Sequence, residues 1–298
     1  MLGCSSSLFG PSSSDSLKDT FLLYKKVTEQ YENPEILRMV RSLIPQDIVL
    51  QTTTTTTTTT TKNDDGACNI IPLLRWFKND FMKWTPKDPV CEMCVNRSDG
   101  QINVIEGCSN DRSVAAAAAT PIMQVKKIII GNSWKMRKLE LFICNSCNYE
   151  RAFPRYGEIL KIAETKTGRC SEWSMLFGAM LSSLGIKTRI VHDFLDHCWN
   201  EAMLSYPEGK KWVHVDSTLD YSISLNHPYH YEENWAKEYE YVLAFSADRV
   251  EDVTQTYTLK WESIQQRRLK KKKAMDFLRL IHQYNNEDIF IVSRASSV

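Results

Sequence analysis

Two C-x-x-C pairs, Cys91 with Cys94 and Cys144 with Cys147, constrain this chain more than any other feature. A C-x-x-C turn places two sulfurs on one edge of a metal tetrahedron, and two such turns close a four-thiolate shell. A closed shell leaves no position for water or substrate, so the expected site is structural and holds one zinc ion. A redox C-x-x-C needs one pair only, at a helix N-terminus. The cysteines number nine, an odd count in a chain of 298 residues, and the start, MLGCSSSLFG, has no basic n-region and no long apolar stretch. A reducing compartment is expected over a disulfide framework, which places the protein in the cytoplasm, with the nucleus as a second location.

Composition narrows the class further. Formal net charge is +1, from 37 Lys and Arg against 36 Asp and Glu, which disfavours a nucleic-acid partner and an acidic disordered chain. No segment approaches the roughly 18 apolar residues of a spanning helix, so membrane insertion is not expected.

Along the chain, residues 1–16 are rich in Ser and Gly and read as a disordered start. Residues 17–69 read as N-terminal helices, with Leu17, Phe21, Tyr24, Val27 and Tyr31 at three- and four-residue steps and Asn33-Pro34 as the interruption. The run of threonines from Thr52 to Thr61 opens a flexible loop over 52–66. Residues 70–152 hold a helix and the cysteine pairs. Ile70, Leu73, Leu74, Phe77, Phe81 and Trp84 share one face of that helix, and Ala115 to Ala119 mark an insertion between the pairs. VKKIII and LELFI read as strands joined by a turn at Gly131-Asn132. Residues 153–258 have steady globular composition: a buried helix from Cys170 ending at Gly185, then strands at KTRIV, HCWNEAML, KWVHVDS and YVLAFS. Residues 259–298 form a basic helix and tail, in which RRLKKKK reads as a solvated helix face.

Three features follow in order within the third segment: Gly168-Arg169-Cys170 opening a helix, Asp196-His197-Cys198-Trp199, and Val213-His214-Val215-Asp216. A cysteine at a helix N-terminus has its thiolate stabilised by the dipole and the free N–H groups. A histidine on a facing strand can pair with it and later protonate a leaving group, and a carboxylate one strand further can hold the imidazole tautomer. Strand alternation sets His197 with Trp199 and Glu201, and Trp212 with His214 and Asp216. By residue type alone, His192 and His214 compete with His197 for the base.

GRCSEW, DHCWNE and KWVHVDS resemble the Cys, His and Asp motifs of the transglutaminase-like superfamily. Within it they are similar to the peptide:N-glycanase family, as are LLRWFKNDFMKW, FPRYGE and YVLAFSADRVEDVTQTYT, so that the resemblance covers roughly residues 70–260. The resemblance implies an α+β fold with a transglutaminase-like, papain-like core: the nucleophile sits at a helix N-terminus on an antiparallel sheet, beside a four-cysteine zinc-binding subdomain. The substrate cleft is expected between the two. It implies Cys170 as nucleophile, His197 as general acid/base and Asp216 as the orienting carboxylate, in hydrolysis of the amide between a glycan's first GlcNAc and its Asn. Trp199, Trp212 and Trp235 fall where the family has tryptophans near the cleft; Trp235 is expected at a sugar subsite, and Trp199 and Trp212 fit a sugar contact and core packing equally well. The sequence departs from the family in two places. Ser171 follows the nucleophile where a glycine is common. Leu219 stands where the family often has a Glu, which leaves Asp220 as the candidate sugar contact from that loop.

The implied substrates are misfolded or denatured N-glycoproteins, in support of endoplasmic-reticulum-associated degradation, and the N-terminal helix is of the type that meets a ubiquitin-receptor shuttle protein. The rivals are a protein-crosslinking transglutaminase, a papain-like protease and a non-catalytic binding module on the same fold. The cysteine module argues against the first. The Asp of KWVHVD and the flanking motifs argue against the second, and the complete Cys, His, Asp set against the third.

Overall fold

The computed structural model describes residues 14–53, 70–95, 122–131, 133–271 and 273–286. The chain forms two compact units: Trp84–Tyr156, and a larger one built from Met1–Lys83 with Gly157–Val298. Most of the threonine run, the alanine tract, most of the first 16 residues, Asn132 and the final tail lie outside the described residues. Thr52 and Thr53 belong instead to a helix, Gln46–Thr53.

The larger unit is built on a five-stranded sheet, antiparallel throughout. Its order is Val250–Asp252, Leu243–Phe245, Thr188–His192, Cys198–Tyr206, Gly209–Val215. The edge strand Val250–Asp252 is too short and too charged to show as a strand in the sequence. The register sets Glu201 opposite His214 and Asn200 opposite Val215. Alternation then gives one face Cys198, Asn200 and Ala202, and the other Trp199, Glu201 and His214.

The helix Cys170–Ser183 lies on the first of these faces, where Ser174 Oγ donates to Cys198 Sγ at 3.3 Å. Every residue from Ser171 to Leu181 is buried, so the helix is enclosed on all sides, with Ser171, Glu172 and Ser174 as its buried polar groups. Gly178 permits the closest approach: a Cβ there would sit 2.6 Å from Tyr31 Oη and 2.9 Å from Asn200 Nδ2. Gly185, at φ 78°, ends the helix, and Ile186 N–H returns to Leu181 O at 3.0 Å.

Three N-terminal helices, Ser14–Gln30, Pro34–Ser42 and Gln46–Thr53, belong to the same unit. Asn33 caps the second by accepting from the N–H groups of Glu35 and Ile36, and Pro34 fills its first position. The helix expected from Ile70 to Trp84 is shorter than its pattern. It runs Ile71–Trp76, widens into a π-turn over Phe77–Phe81 and stops at Met82, and Trp84 is 46% exposed. Phe81 and Met82 stay buried, and Trp84 leaves the apolar face because the chain has turned extended as the short strand Lys83–Trp84. Phe77 packs its ring 5.6 Å from Trp173 and 5.1 Å from Phe177. This packing ties the segment to the larger unit, so the boundary falls at residue 84 and not at 70.

Two C-terminal helices, Trp261–Leu269 and Lys273–Asn285, complete the unit. The basic run is a solvated face only in part: Leu269, Lys270 and Lys271 are exposed, while the two arginines before them reach back to the core. Arg267 donates to Tyr239 O at 2.9 Å, Arg268 donates to Glu240 O at 2.7 Å and pairs with Asp252, and Lys271 pairs with Glu240. Among the described residues, no helix is long and apolar enough to cross a membrane.

The smaller unit is a three-stranded antiparallel meander, Met123–Ile130, Met136–Cys144 and Glu150–Tyr156. The first hairpin closes through Gly131 N–H to Arg137 O at 2.7 Å, a longer connection than a two-residue turn at Gly131-Asn132. Its core is small: Met123, Phe142 and Phe153 packed around Cys91 and Cys144.

Candidate active site and metal centre

Cys170 opens its helix because the backbone before it is tightly built. Glu172, buried in the first turn, accepts from Arg169 N–H at 3.1 Å, which satisfies an orphan donor in the manner of a capping box. Gly168 makes room for it, since a Cβ there would lie 2.4 Å from Glu172 Cβ. Ser171, where the family often has glycine, is buried and puts its hydroxyl 3.4 Å from Glu172 Oε2. The Cys170 thiol is 3.7 Å from the carbonyl oxygen of Asp196 and within hydrogen-bonding reach of the His197 ring.

His197 lies just before the strand Cys198–Tyr206, and Asp216 just after Gly209–Val215. These are adjacent strands, and the His197 Nε2 to Asp216 Oδ2 distance is 2.7 Å, with both groups buried. Nδ1 is thereby left as the ring nitrogen for Cys170. The far oxygen of Asp216 accepts from Thr218 N–H at 2.8 Å and Thr218 Oγ1 at 2.7 Å, and Oδ2 also accepts from Tyr231 Oη at 2.6 Å. Burial pushes the Asp216 carboxyl up, but His197 and the Tyr231 hydroxyl outweigh it and hold it well below the usual range. For His197, burial disfavours the imidazolium. Asp216 and Cys170 more than compensate and carry its pKa to about 10.

The competing histidines are differently placed. His192 packs among aromatic rings, 5.4 Å from Tyr24 and 4.6 Å from Phe194. His214 has Nε2 3.4 Å from Tyr231 Oη, and burial, with further lowering from His197, drops its pKa to about 3. It stays neutral, one residue-pair away from the centre.

The four candidate sugar-contact residues separate by exposure. Trp199 is fully buried among Tyr231, Tyr239 and Tyr257, so it has no face to offer a ligand; it lies under His197, with ring centroids 5.8 Å apart. Trp212 is partly buried and covered by Arg189, whose guanidinium carbon is 4.2 Å from its ring. It lies four residues from Asp216, about 13 Å along the strand. Trp235 is 38% exposed with its ring 5.1 Å from that of His197, the one aromatic of the three that joins the centre to open surface. Asp220 caps the short helix Tyr221–Ser224 and lines a small cleft with Arg75, Lys78, Leu219 and Tyr221. Leu219 itself packs on the core around Trp199, which a Glu could not do without a partner.

Residues that carry no motif complete the site: Tyr231 and Thr218 on Asp216, and Asp193 and Lys237 around the turn before His197. None of these gives a periodic signal: Thr218 and Asp193 act within their own turns, and Tyr231 and Lys237 reach the site from another stretch of chain.

In the smaller unit the four cysteine sulfurs lie within 4.8 Å of one another. Cys91 Sγ is 3.6 Å from Cys147 Sγ, and Cys94 Sγ is 3.7 Å from Cys144 Sγ. A tetrahedron with metal–sulfur bonds near 2.3 Å has edges of about 3.8 Å, so the set fits one tetrahedral ion. The knuckle around Cys144 is preformed: Ser146 N–H points at its sulfur at 3.4 Å, and Asn148, at φ 58°, returns its N–H to Cys144 O. Burial opposes the Cys144 thiolate, but the N–H groups of Ser146 and Cys147 outweigh it and bring its pKa to about 6. Hydrogen bonding to Cys147, with burial, pushes Cys94 up to about 12. Four thiols this close need a cation before all can ionise.

A cysteine at a helix N-terminus facing a buried His–Asp pair beside an antiparallel sheet is the transglutaminase-like arrangement, and models of transglutaminase-like domains match this part of the chain. The family described as "Transglutaminase-like superfamily" matches residues 130–217, and the "Rad4 transglutaminase-like domain" matches residues 195–289. The chain is also a homologue of proteins named peptide-N(4)-(N-acetyl-beta-glucosaminyl)asparagine amidase. It is 31% identical to the one from Yarrowia lipolytica over 78% of this chain and 60% of the relative. The identity is 32% to the Homo sapiens protein, over 82% and 34% respectively, and 37% to that of Candida glabrata, over 63% and 47%. The chain thus spans between about a third and three-fifths of the length of these relatives. Among solved structures it matches one of Rad4–Rad23 bound to a 6-4 photoproduct UV lesion, with a TM-score of 0.48 and 12% identity over 95% of this chain and 58% of that one.

Proposed function

We propose that this chain hydrolyses the amide bond between the first GlcNAc of an N-linked glycan and its asparagine. The reading rests on one observation above the others: the Cys170 thiol meets a histidine whose far nitrogen is held at 2.7 Å by a buried carboxylate, in a chain homologous to amidases of that name. Cys170, as thiolate, attacks the carbonyl carbon of the Asn side chain. His197, as imidazolium, gives its Nδ1 proton to the departing glycosylamine nitrogen, and the acyl group remains as a thioester. A water that loses its proton to His197 then attacks the thioester, and Asp replaces Asn in the product peptide while the thiolate returns. Asp216 holds the ring and stabilises its charge, and Tyr231 and Thr218 hold Asp216. The helix N-terminus at Cys170 supplies N–H groups for the oxyanion.

Trp235 is the proposed stacking face for the sugar, and Asp220 a second polar contact from its cleft. Zinc is the proposed metal of the Cys91, Cys94, Cys144, Cys147 set; when bound, it holds the smaller unit together and offers no open position to a reaction. The proposed substrates are misfolded N-glycoproteins undergoing endoplasmic-reticulum-associated degradation, met in the cytoplasm or nucleus, where a nucleophilic thiol stays reduced. A ubiquitin-receptor shuttle protein is the proposed partner. The helix Ser14–Gln30 is largely covered by the chain's own core, so docking would fall on the exposed Met39, Leu43 and Leu50 of the next two helices.

The test is glycan release from a heat-denatured N-glycoprotein, read by mass, for wild type and Cys170→Ala. Wild type should convert Asn to Asp at the glycan site and Cys170→Ala should not. A folded, metal-loaded wild type without this product would overturn the hydrolase reading and leave a binding module.

A further inference from the structure

The turn that carries His197 is held by groups with no place in the mechanism above. Asp193 is buried, and its Oδ1 accepts from three N–H groups in a row: Leu195 at 2.9 Å, Asp196 at 3.1 Å and His197 at 3.0 Å. Asp193 N–H closes the same turn onto His197 O at 3.1 Å. Phe194, at φ 54°, sits in the left-handed region, which a phenylalanine adopts only when its surroundings impose it. One carboxylate oxygen thus fixes the backbone that presents His197, and the same backbone brings Asp196 O to 3.7 Å from the Cys170 thiol.

The other oxygen of Asp193 is 2.9 Å from Lys237 Nζ, and Lys237 also pairs with the Asp196 side chain. Lys237 is nearly as buried as its partner and comes from a stretch distant in sequence. That stretch touches the centre three times. Tyr231 donates to Asp216, Trp235 sets its ring against His197, and Lys237 locks onto the turn. Between the last two, Ala236 takes φ 51°, and the N–H groups of Trp235 and Lys237 both return to Tyr231 O. This tight geometry makes the position of Trp235 depend on where Lys237 is anchored.

We infer that Asp193 and Lys237 are a positioning pair for the reaction centre, which aims His197 at Cys170 and seats Trp235 over the His197 ring. The inference builds on the proposed roles of Cys170 and His197. Neither residue touches the substrate, so their effect is on geometry, and a misplacement of about 1 Å costs on the order of 100-fold in rate.

Asp193→Asn is the direct probe. It keeps an oxygen for the three N–H groups but turns an amide NH2 toward the Lys237 ammonium, donor against donor. Lys237→Met removes the cation, and Lys237→Arg retains it. Each full-length variant is measured for kcat and KM on a denatured N-glycoprotein, for thermal unfolding, and for the rate at which iodoacetamide alkylates Cys170 as pH is varied. Asp193→Asn is expected to lower kcat about 10- to 100-fold with KM within about threefold, and to shift the pH profile of Cys170 alkylation. Lys237→Met should do the same and raise KM as well, through Trp235, and Lys237→Arg should recover most of the loss. Folded variants with kcat close to wild type and an unmoved alkylation profile would overturn the inference. So would an alkylation profile identical in wild type, Asp193→Asn and Lys237→Met with activity lost only in step with thermal stability. Alkylation needs no glycoprotein, so a profile that shifts in a protein without glycan release would sustain the positioning pair while ending the proposed reaction.

Discussion

His197 and His214 are built from the same side chain, both buried, both near Asp216 and Tyr231, yet they are pulled to opposite ends of the pH scale. The difference lies in their partners: His197 is bonded directly to Asp216 and reaches Cys170, whereas His214 meets Asp216 only through the Tyr231 hydroxyl and faces the charge of His197. The consequence for stability follows by linkage. An unfolded histidine titrates near 6.5. His197 keeps its proton in the fold up to about 10, so its contribution is complete below about 6.5 and is lost as pH rises through about 10. His214 refuses a proton until about 3, so its contribution is present above about 6.5 and is lost as pH falls toward 3. Each has a maximal slope of about 1.4 kcal/mol per pH unit. Melting temperatures across pH for wild type and His197→Gln should show the alkaline decline flattened in the variant. Identical alkaline slopes would mean that His197 carries no charge in the folded protein. Cys170, His197 and Asp216 were legible in the sequence because each stands in a motif. Tyr231 and Lys237 were not, because a long-range approach of chain that no local spacing encodes gives them their place, and Asp193 was not, because a carboxylate capping a turn carries no motif of its own.

At the scale of the element, the helix Cys170–Ser183 shows how far a pattern reaches. Its apolar spacing and the glycine past its end fix where it begins and stops. The sequence does not show that Asn200 and Tyr31 press on it at Gly178 from two other elements. Nor does it show that the strand Leu243–Phe245 inserts beside Thr188–His192, because strand order depends on pairing between distant segments. The glycine gives a sharp expectation. Gly178→Ala adds a methyl where a Cβ would be 2.6 Å from Tyr31 Oη, itself a donor to Met175 O. Helix propensity would favour alanine by about 1 kcal/mol, but overpacking costs about 1–3 kcal/mol, so net destabilisation is expected. A urea midpoint equal to or above that of wild type would show that Tyr31 and Asn200 yield to the methyl freely.

The whole molecule divides its labour between a unit whose core is large enough to stand on packing and one that is not. In Trp84–Tyr156 the apolar centre is three side chains set around two of the four cysteines, so a metal held by the four would supply much of this unit's folding free energy. One zinc per chain should be found by elemental analysis. After its removal, trypsin should cut at Lys126, Lys127, Lys135 or Arg137 while the stretch beyond Gly157 survives as a large fragment. Resistance of these sites in the stripped protein would show that the meander holds without metal. The four cysteines were plain in the sequence, but the boundary of their unit was not, because a π-turn has no hydrophobic period of its own.

The placement of Phe77 against Trp173 and Phe177 has a further consequence for how the molecule comes into being on the ribosome. The first segment of the larger unit emerges with its aromatic face uncovered, and its partners follow roughly a hundred residues later, about 5–20 s at ordinary elongation speeds. The smaller unit is complete in between and can take up its metal while the other waits. A nascent chain of this protein therefore presents Leu73, Phe77 and Phe81 to the chaperones at the tunnel exit well before the helix Cys170–Ser183 has emerged to cover Phe77.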